Sequence, residues 1–576
     1  MTRVADLLVD LLRAEGVRSV FGVAGDSLNA VTDSLRPRDD IRWVHMRHEE
    51  AAAFAAGAVA QLTGRLGACA GSCGPGNLHL INGLYDAHRS RAPVLAIAAQ
   101  VPSPEIGSEY FQETHPEEVF RECSHFRGVV SSPEMLEPVT REAIRVAKAE
   151  HGVAVVVLPG DIAERSVVPG PAPRSPPTLA PPSADPAPSG PELDRLVELL
   201  NGARKVTILA GGGCRDARDE VLALAARLRA PIVHTLRAKE FLEHDNPYDV
   251  GMTGLIGFSS GYHAMGDADL LVLLGTDFPY RQFYPATVRK VQVDRDARHL
   301  GRRTPVDLGV VADVGSTVRA ALPRLTPKAD SGHLTQSMAH YGQSRRALDE
   351  LAVGETGSVP LHPQFVARVL DELAPDDAIF TCDVGLPTVW AARYLRLGGR
   401  RRLVGSFWHG SMANALPQAI GAQRAFPDRR VISLSGDGGL SMLLGELLTL
   451  RQVDLPVKIV VFDNRSLGFV QLEQKSAGFL ESGVDLVNPN FAELASSAGL
   501  LGLRAERPEE VRPMLGEMLA HPGPALLDAV VARQEIVMPP TIEPSMVKGF
   551  GLWLIKAILS GRGDEIVDLA KVNLFR

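Results

Sequence analysis

Residues 431–464 read VISLSGDGGLSMLLGELLTLRQVDLPVKIVVFDN, the stretch that most narrows what this chain can become. A β-branched run, a glycine-rich turn, a helical stretch and a second apolar run follow one another. Two strands joined through a helix pair in parallel, because only a long crossover returns the chain to start the second strand in the same direction. Gly436-Asp437-Gly438-Gly439 stands where the first strand hands over to the helix. Glycines there let backbone N–H groups approach a phosphate, whose charge the helix N-terminus favours. Asp437 and Asn464 end neighbouring strands, so their oxygens can converge on one hard dication such as Mg²⁺ that also bridges phosphates. A plain glycine turn between strand and helix is the bland alternative.

The same alternation recurs along the chain. Val153–Leu158, Val206–Ala210, Leu270–Leu274 and Val291–Asp294 are further short apolar runs separated by amphipathic stretches. The pattern predicts an α/β fold of three doubly wound parallel-sheet domains. At 576 residues, 45% of them hydrophobic, the chain has material for about three to four domains. From Pro169 to Pro191, ten of 23 residues are proline, a composition that neither pairs in a sheet nor sustains a helix. A softer, polar seam covers roughly 325–362. The expected division is a first domain over 1–168, a linker over 169–191, a second domain over 192–335, a third over 336–534 and a separate C-terminal segment over 535–576.

A net charge of −8 with no basic stretch argues against a nucleic-acid partner. The N-terminus, MTRVADLLVDLLRAEGV, interleaves charge with apolar residues at helical spacing, which predicts a first helix and not an export signal. Cys69, Cys73, Cys123, Cys214 and Cys382 lack metal-site spacing and fit reduced cytoplasmic thiols.

His48-Glu49-Glu50 precedes AAAFAAGAVAQ, a helix that can pack closely on another backbone. Glu49 would then sit in an apolar setting, where a carboxyl holds its proton more readily and can share it with a ring nitrogen. From these residues alone, an acidic pair favoured by the helix dipole is the better reading. In the middle segment, ILAGGG at 208–213 is a strand-to-helix turn, and Asp294 ends a strand where it could meet a ribose hydroxyl. Ordinary turns also satisfy that pattern. GMTGLIGFSSG at 251–261 and GTDFPYR at 275–281 are the more specific segments nearby.

These motifs, with CAGSCGPGNLHLINGLYDAHR, FQETHPEEVFRECSH, FTCDVGLPTVWAARYLR and SGRGDE, resemble the thiamine diphosphate- and FAD-dependent pyruvate oxidase family, especially its bacterial pyruvate:quinone oxidoreductases. The resemblance implies thiamine diphosphate, Mg²⁺ and FAD as cofactors, pyruvate as substrate and a membrane quinone as electron acceptor. It further implies a homotetramer recruited from the cytoplasm to a phospholipid bilayer at the inner face of the cell membrane. The implied reaction is oxidative decarboxylation of pyruvate to acetate and CO₂ through hydroxyethyl-thiamine diphosphate, with two electrons passing to FAD and then quinone. The alternative is an acetolactate-synthase-like condensation of two pyruvates beside a non-redox FAD.

Carried over residue by residue, the resemblance makes Glu49 the group that activates the cofactor's aminopyrimidine. Gly410, Ser411 and Met412 hold that ring, with Met412 as the bulky wedge. Asp437, Asn464 and Ser466 bind Mg²⁺, and Gly438, Gly439, Arg465, Leu467, Gly468, Phe469 and Val470 complete the diphosphate site. Phe111, Gln112 and Glu473 line the substrate pocket, where Phe469 moves in and out. Thr253, Gly254, Leu255, Ile256, Thr276, Asp277, Phe278, Pro279, Tyr280 and Asp294 bind FAD. Trp408, Ala238 and Phe241 depart from the family pattern.

The C-terminus begins with SMVKGFGLWLIKAILS at 545–560, followed after SGRG by an amphipathic stretch with Ile566, Val567, Ala570 and Leu574 on one side. Neither stretch reaches the roughly 20 apolar residues that span a bilayer. An apolar face of Phe550, Trp553, Leu554 and Ile558 flanked by lysines suits the membrane interface instead. A helix packed on its own domain is the alternative.

Overall fold

The computed structural model describes residues 2–167, 186–354, 361–537, 544–560 and 562–574. Three parallel sheets of six strands each form the body. In the first, the strands lie in the order Arg42–His45, Ser19–Gly22, Gly67–Gly71, Val94–Gln100, Val153–Pro159, Phe126–Val129. In the third, the order is Arg402–Gly405, Ile379–Cys382, Val431–Gly436, Lys458–Asp463, Ala525–Val530, Leu501–Ala505. Counted along the chain within each sheet, both read 2-1-3-4-6-5. The middle sheet differs. Its order is Asp249–Met252, Ile232–His234, Val206–Ala210, Leu270–Leu274, Arg289–Asp294, Leu308–Val311, or 3-2-1-4-5-6.

In such sheets a crevice opens outside the carboxyl ends of the two strands between which the winding reverses. For the third sheet those strands are Ile379–Cys382 and Val431–Gly436, and for the middle sheet Val206–Ala210 and Leu270–Leu274. For the first they are Ser19–Gly22 and Gly67–Gly71.

The first and third sheets are joined through the alanine-rich helix Glu49–Thr63, which packs between Pro75–Arg89 and Ala415–Ala425. Ala51 to Ala56 are fully buried, and the reason for small residues is direct. A Cβ added at Gly421 would stand 2.2 Å from the Ala55 carbonyl oxygen, and one at Gly83 would stand 2.6 Å from that of Glu50. Helix backbones touch at both crossings.

Two boundaries shift from expectation. Residues 169–185 of the proline-rich linker lie outside the described residues, but the second domain begins at Gly190, where Ser189 and Glu192 cap a helix reciprocally and Pro191 takes its first turn. The seam expected at 335–336 falls inside the helix Gly332–Leu351. That helix is fastened to the second domain by His333 to Thr207 Oγ1 at 2.8 Å and by His340 to Ser259 Oγ at 3.0 Å.

The C-terminal segment forms two helices, Pro544–Leu559 and Gly563–Leu574, the first lying on the helix Gly468–Ser476. Trp553 is fully buried against Ala557, Leu569 and Leu480. Its Nε1–H donates to Glu481 Oε2 at 3.2 Å, and the Lys475 ammonium stands 4.8 Å from its ring centre. Truncating an aromatic buried in this way costs about 3–5 kcal/mol. The face expected to meet lipid is divided in this structure. Phe550, Trp553 and Leu554 turn inward at helical spacing, while Leu552, Ile555, Ile558 and Leu559 point to solvent. In the last helix Ile566 of the expected side packs against the cluster with buried Leu569, whereas Val567 is exposed. Among the described residues no helix is long and apolar enough to cross a membrane.

Candidate active site

A cavity of about 960 Å³ opens where the carboxyl ends of the second and third sheets face each other, with Ser90, Arg91 and His151 contributed by the first domain. Its volume is in the range of cofactor and ligand pockets.

The third sheet builds one wall. Asp437 is the first residue of the short helix after the strand Val431–Gly436, and its carboxylate is buried. Oδ1 accepts the Gly438 N–H at 2.9 Å, and Oδ2 accepts the Arg465 N–H at 2.7 Å and the Asn488 amide at 2.8 Å. The same Asn488 nitrogen donates to Asp463 at 2.7 Å, so one amide spans two buried carboxylates. Burial pushes the Asp437 pKa up to about 6, the neighbouring charge of Asp463 adds to the rise, and the donors from Asn488, Gly438 and Arg465 oppose it. Asn464 Oδ1 accepts the Ser466 N–H at 3.1 Å, and Asn464 and Ser466 line the cavity beside Asp437. This oxygen-rich set, with one carboxylate that burial leaves poorly compensated, fits a hard dication.

Beneath the turn lies Asp383, fully buried at the end of the strand Ile379–Cys382. Oδ1 accepts the Ala415 N–H at 3.0 Å, Oδ2 has no hydrogen-bond partner among the described residues, and burial pushes the pKa up to about 7. A Cβ at Gly439 would stand 2.3 Å from that Oδ2, so only glycine keeps this turn close-packed and its backbone open to a phosphate. Above the turn, Met412 Cε lies 3.3 Å from where a Gly438 Cβ would be, the position of a wedge. Gly410, Leu467, Gly468, Phe469, Val470 and Glu473 also line the cavity. Ser411 and Arg465 do not. Ser411 Oγ instead accepts the Asn82 amide at 2.8 Å, and Arg465 serves Asp437 through its backbone.

The middle sheet builds the other wall. Thr253, Gly254, Leu255, Ile256, Thr276, Asp277, Phe278, Pro279, Tyr280 and Asp294 all line the same cavity. Gly213 and Gly275 bring two switch-point turns into backbone contact, since a Cβ on Gly213 would stand 2.8 Å from Gly275 Cα. Thr253 Oγ1 is buried without a hydrogen-bond partner. Arg91, Arg215 and Arg237 crowd one end, where burial and then the charges of Arg91 and Arg215 pull the Arg237 pKa down to about 10. Crowded guanidinium groups beside glycine turns fit the diphosphate of a dinucleotide such as FAD.

The first sheet carries a separate cluster. Glu49, the first residue of its helix, is 6% exposed, with Oε2 at 2.9 Å from His79 Nδ1. Its Oε1 lies 3.0 Å from where a Gly76 Cβ would be. His48 caps the helix, its Nδ1 accepting the Glu50 N–H at 3.1 Å, and stacks on His79 at 4.4 Å. Gln112 packs over Gly74 with Oε1 3.7 Å from Cys73 Sγ, and Phe111 next to it is 78% exposed. Glu49, Phe111 and Gln112 do not line the cavity that holds Asp437. All five cysteines are free and buried.

Sequence reasoning passed over Asp383, Asn488, His79 and Glu446. Asp383 and His79 stand inside the motifs that carry the family resemblance. Asn488 and Glu446 carry no signal of their own, because each matters through a partner distant in the chain.

Three domain models of the thiamine pyrophosphate enzymes match: the N-terminal TPP binding domain over residues 2–119, the central domain over 193–321 and the C-terminal TPP binding domain over 383–529. A putative thiamine pyrophosphate-containing protein of Bacillus subtilis, YdaP, is 36% identical over 98% of this chain and 97% of its own. Pyruvate oxidase of Lactiplantibacillus plantarum is 32% identical over 91% of this chain and 88% of its own. A probable chloroplastic acetolactate synthase of rice, Oryza sativa, is 32% identical over 93% and 84%. Matched by all three domain models and by relatives along nearly its whole length, this chain belongs to the thiamine pyrophosphate enzyme family, alongside pyruvate oxidase and acetolactate synthase.

Proposed function

We propose that this protein is a pyruvate:quinone oxidoreductase, oxidising pyruvate to acetate and CO₂ and delivering two electrons through FAD to a membrane quinone. The observation that carries the reading is the single cavity shared by the flavin set, Thr253–Ile256 and Thr276–Tyr280, and the set around Asp437, Met412, Phe469 and Glu473. Bound there, thiamine diphosphate with Mg²⁺ supplies an electron sink for decarboxylating a 2-oxo acid, and FAD supplies a two-electron acceptor. Asp437, Asn464 and Ser466 are the residues that would hold the metal. Glu49, paired with His79 at 2.9 Å, is the group suited to hold and move a proton.

Glu49 lies outside the cavity of its own chain, so in this reading a second copy supplies it. Exposed Tyr110 and Phe111, next to Gln112 on the first domain, and exposed Met442 and Val487 on the third are apolar surfaces that such a pairing would cover. A homotetramer contains pairs of this kind. The C-terminal helices are proposed as the lipid contact that brings the protein from the cytoplasm to the inner face of the membrane. The exposed stripe Leu552, Ile555, Ile558 and Leu559 supports that role, and the seat on Gly468–Ser476 links it to the helix bearing Phe469 and Glu473.

Anaerobic mixing with pyruvate tests the reaction. The flavin should bleach and regain its colour when a quinone is added. A flavin that keeps its colour while acetolactate accumulates would establish the acetolactate-synthase-like alternative. For the tail, Leu552→Glu with Ile555→Glu should lower liposome binding, and unchanged binding would remove this face from the proposal.

A further inference from the structure

Glu446 reaches from the third domain into the first. It opens the helix Glu446–Gln452, a short way beyond Asp437 along the chain, and its side chain is 1% exposed. Oε1 accepts two backbone N–H groups, those of Arg47 and His48, each at 3.0 Å. Oε2 accepts the Thr449 hydroxyl at 2.6 Å. Arg47 is braced a second time, its guanidinium donating to Gln452 Oε1 at 2.6 Å. The two gripped residues immediately precede Glu49.

The grip is passed on to Glu49 by a relay of contacts. His48 is the helix cap and its backbone is extended, at φ −149° and ψ 140°. Its ring stacks on His79, and His79 Nδ1 meets the Glu49 carboxyl. A shift of the 47–48 backbone therefore moves both the start of the helix bearing Glu49 and the imidazole stack that orients its carboxyl. Two N–H donors on one buried carboxylate oxygen form charge-assisted bonds, stronger and more directional than neutral ones. Burial pushes the Glu446 pKa up to about 7 against the opposing donors from Thr449, Arg47 and His48. A carboxylate this deep is an expensive way to satisfy two amides if fastening the domains were the only need, since the Ala-rich helix crossing already does that.

We infer that Glu446 is a positioning residue for Glu49, setting the angle at which the proton-transferring carboxyl is presented. The inference rests on the role of Glu49 in the proposed reaction. A misplacement of about 1 Å at such a group costs up to about a hundredfold in rate.

Exchange of the C2 proton of bound thiamine diphosphate, followed by NMR after rapid mixing with D₂O, reads the proton-transfer role of Glu49 directly. Amide hydrogen exchange of the peptide around residues 43–50 reads the grip itself without cofactor. Glu446→Ala should speed exchange at the Arg47 and His48 amides and slow C2 exchange by about tenfold or more, with Kd for thiamine diphosphate and KM for pyruvate changed less than about threefold. Glu446→Gln keeps an acceptor oxygen at the same reach and should restore C2 exchange to within about threefold of wild type. If Glu446→Ala does not fold, Glu446→Asp takes its place, withdrawing the acceptor by one methylene. Slow exchange in Asp and fast exchange in Gln supports the inference; equal rates in the two overturn it. Wild-type C2 exchange in Glu446→Ala, or slowing that merely tracks lost cofactor binding, overturns it as well. Glu49→Gln run alongside separates the two claims: if that variant exchanges normally, the role of Glu49 falls, whereas slow exchange there with fast exchange in Glu446→Ala removes Glu446 alone.

Discussion

The two halves of the candidate site are built in opposite ways. Around Asp437, every oxygen of the carboxylate is engaged by groups of the same domain, the glycine turn is backed by Asp383 and capped by Met412, and the cavity continues into the middle domain. Around Glu49, the carboxyl has His79 and Gly76 as neighbours, and the flank holding Tyr110 and Phe111 is open to solvent. In the proposed reaction the first half binds, and its contacts come from a single chain. The second acts, with fewer groups of its own chain around it.

If that contrast is right, damage to each half should fail differently. Asp437→Ala removes an anionic ligand from the binding half, so thiamine diphosphate affinity measured with Mg²⁺ should fall more than about a hundredfold while FAD stays bound. Glu49→Gln should keep both cofactors, with flavin reduction by pyruvate slowed at least about a hundredfold. Tight thiamine diphosphate binding by Asp437→Ala in the presence of chelator would break the assignment, and so would rapid flavin reduction by Glu49→Gln.

A pH titration sharpens it further. The cation and the proton compete for the Asp437 carboxyl, whose pKa in the metal-free protein lies at about 6. Mg²⁺ affinity should hold steady above pH 6 and weaken about tenfold per unit below it. Calorimetric titrations that give the same affinity at pH 5 and pH 7 would mean that Asp437 is not a ligand. The smallest expected effect is that of Asn488→Ala. Without the bridging amide, the Asp437 carboxyl loses the donor that orients it and helps keep it ionised, and metal affinity should drop by about tenfold. C2 proton exchange at saturating metal should stay within about twofold, because Glu49 is untouched. A larger loss of exchange would show that the two halves are less independent than their construction suggests.

Much of this was legible in the chain because the chemistry was local in sequence. Gly436–Gly439 and Asn464 lie on one βαβ unit, and the flavin segments 253–256 and 276–280 each follow a strand end. The residues that escaped act at a distance. Glu446 and Asn488 act on residues about 400 and 51 positions away, and neither a period nor a spacing marks them. The rotation of the C-terminal helix escapes the sequence for a related reason. Its composition is apolar on more than one face, so hydropathy alone cannot say that Trp553 turns inward to Glu481 while Leu552 and Ile555 turn out. The close approach of Gly549 to the Ser476 carbonyl, where a Cβ would stand 1.9 Å away, holds the same rotation as the Trp553–Glu481 hydrogen bond. The same limit applies at 335–336, where a polar stretch that reads as a seam is a helix held by His333 and His340.

The separation of Glu49 from the Asp437 cavity also has a genetic consequence. If each site draws its two halves from different copies, an allele carrying Glu49→Gln and an allele carrying Asp437→Ala are both null alone yet can rescue one another. In a mixed pair, one site inherits both lesions and the other inherits neither. Random pairing of the two products would leave about a quarter of all sites whole. A cell heterozygous for these alleles would then grow where either homozygote fails, and a gene built so that both halves served a single chain would show no such rescue.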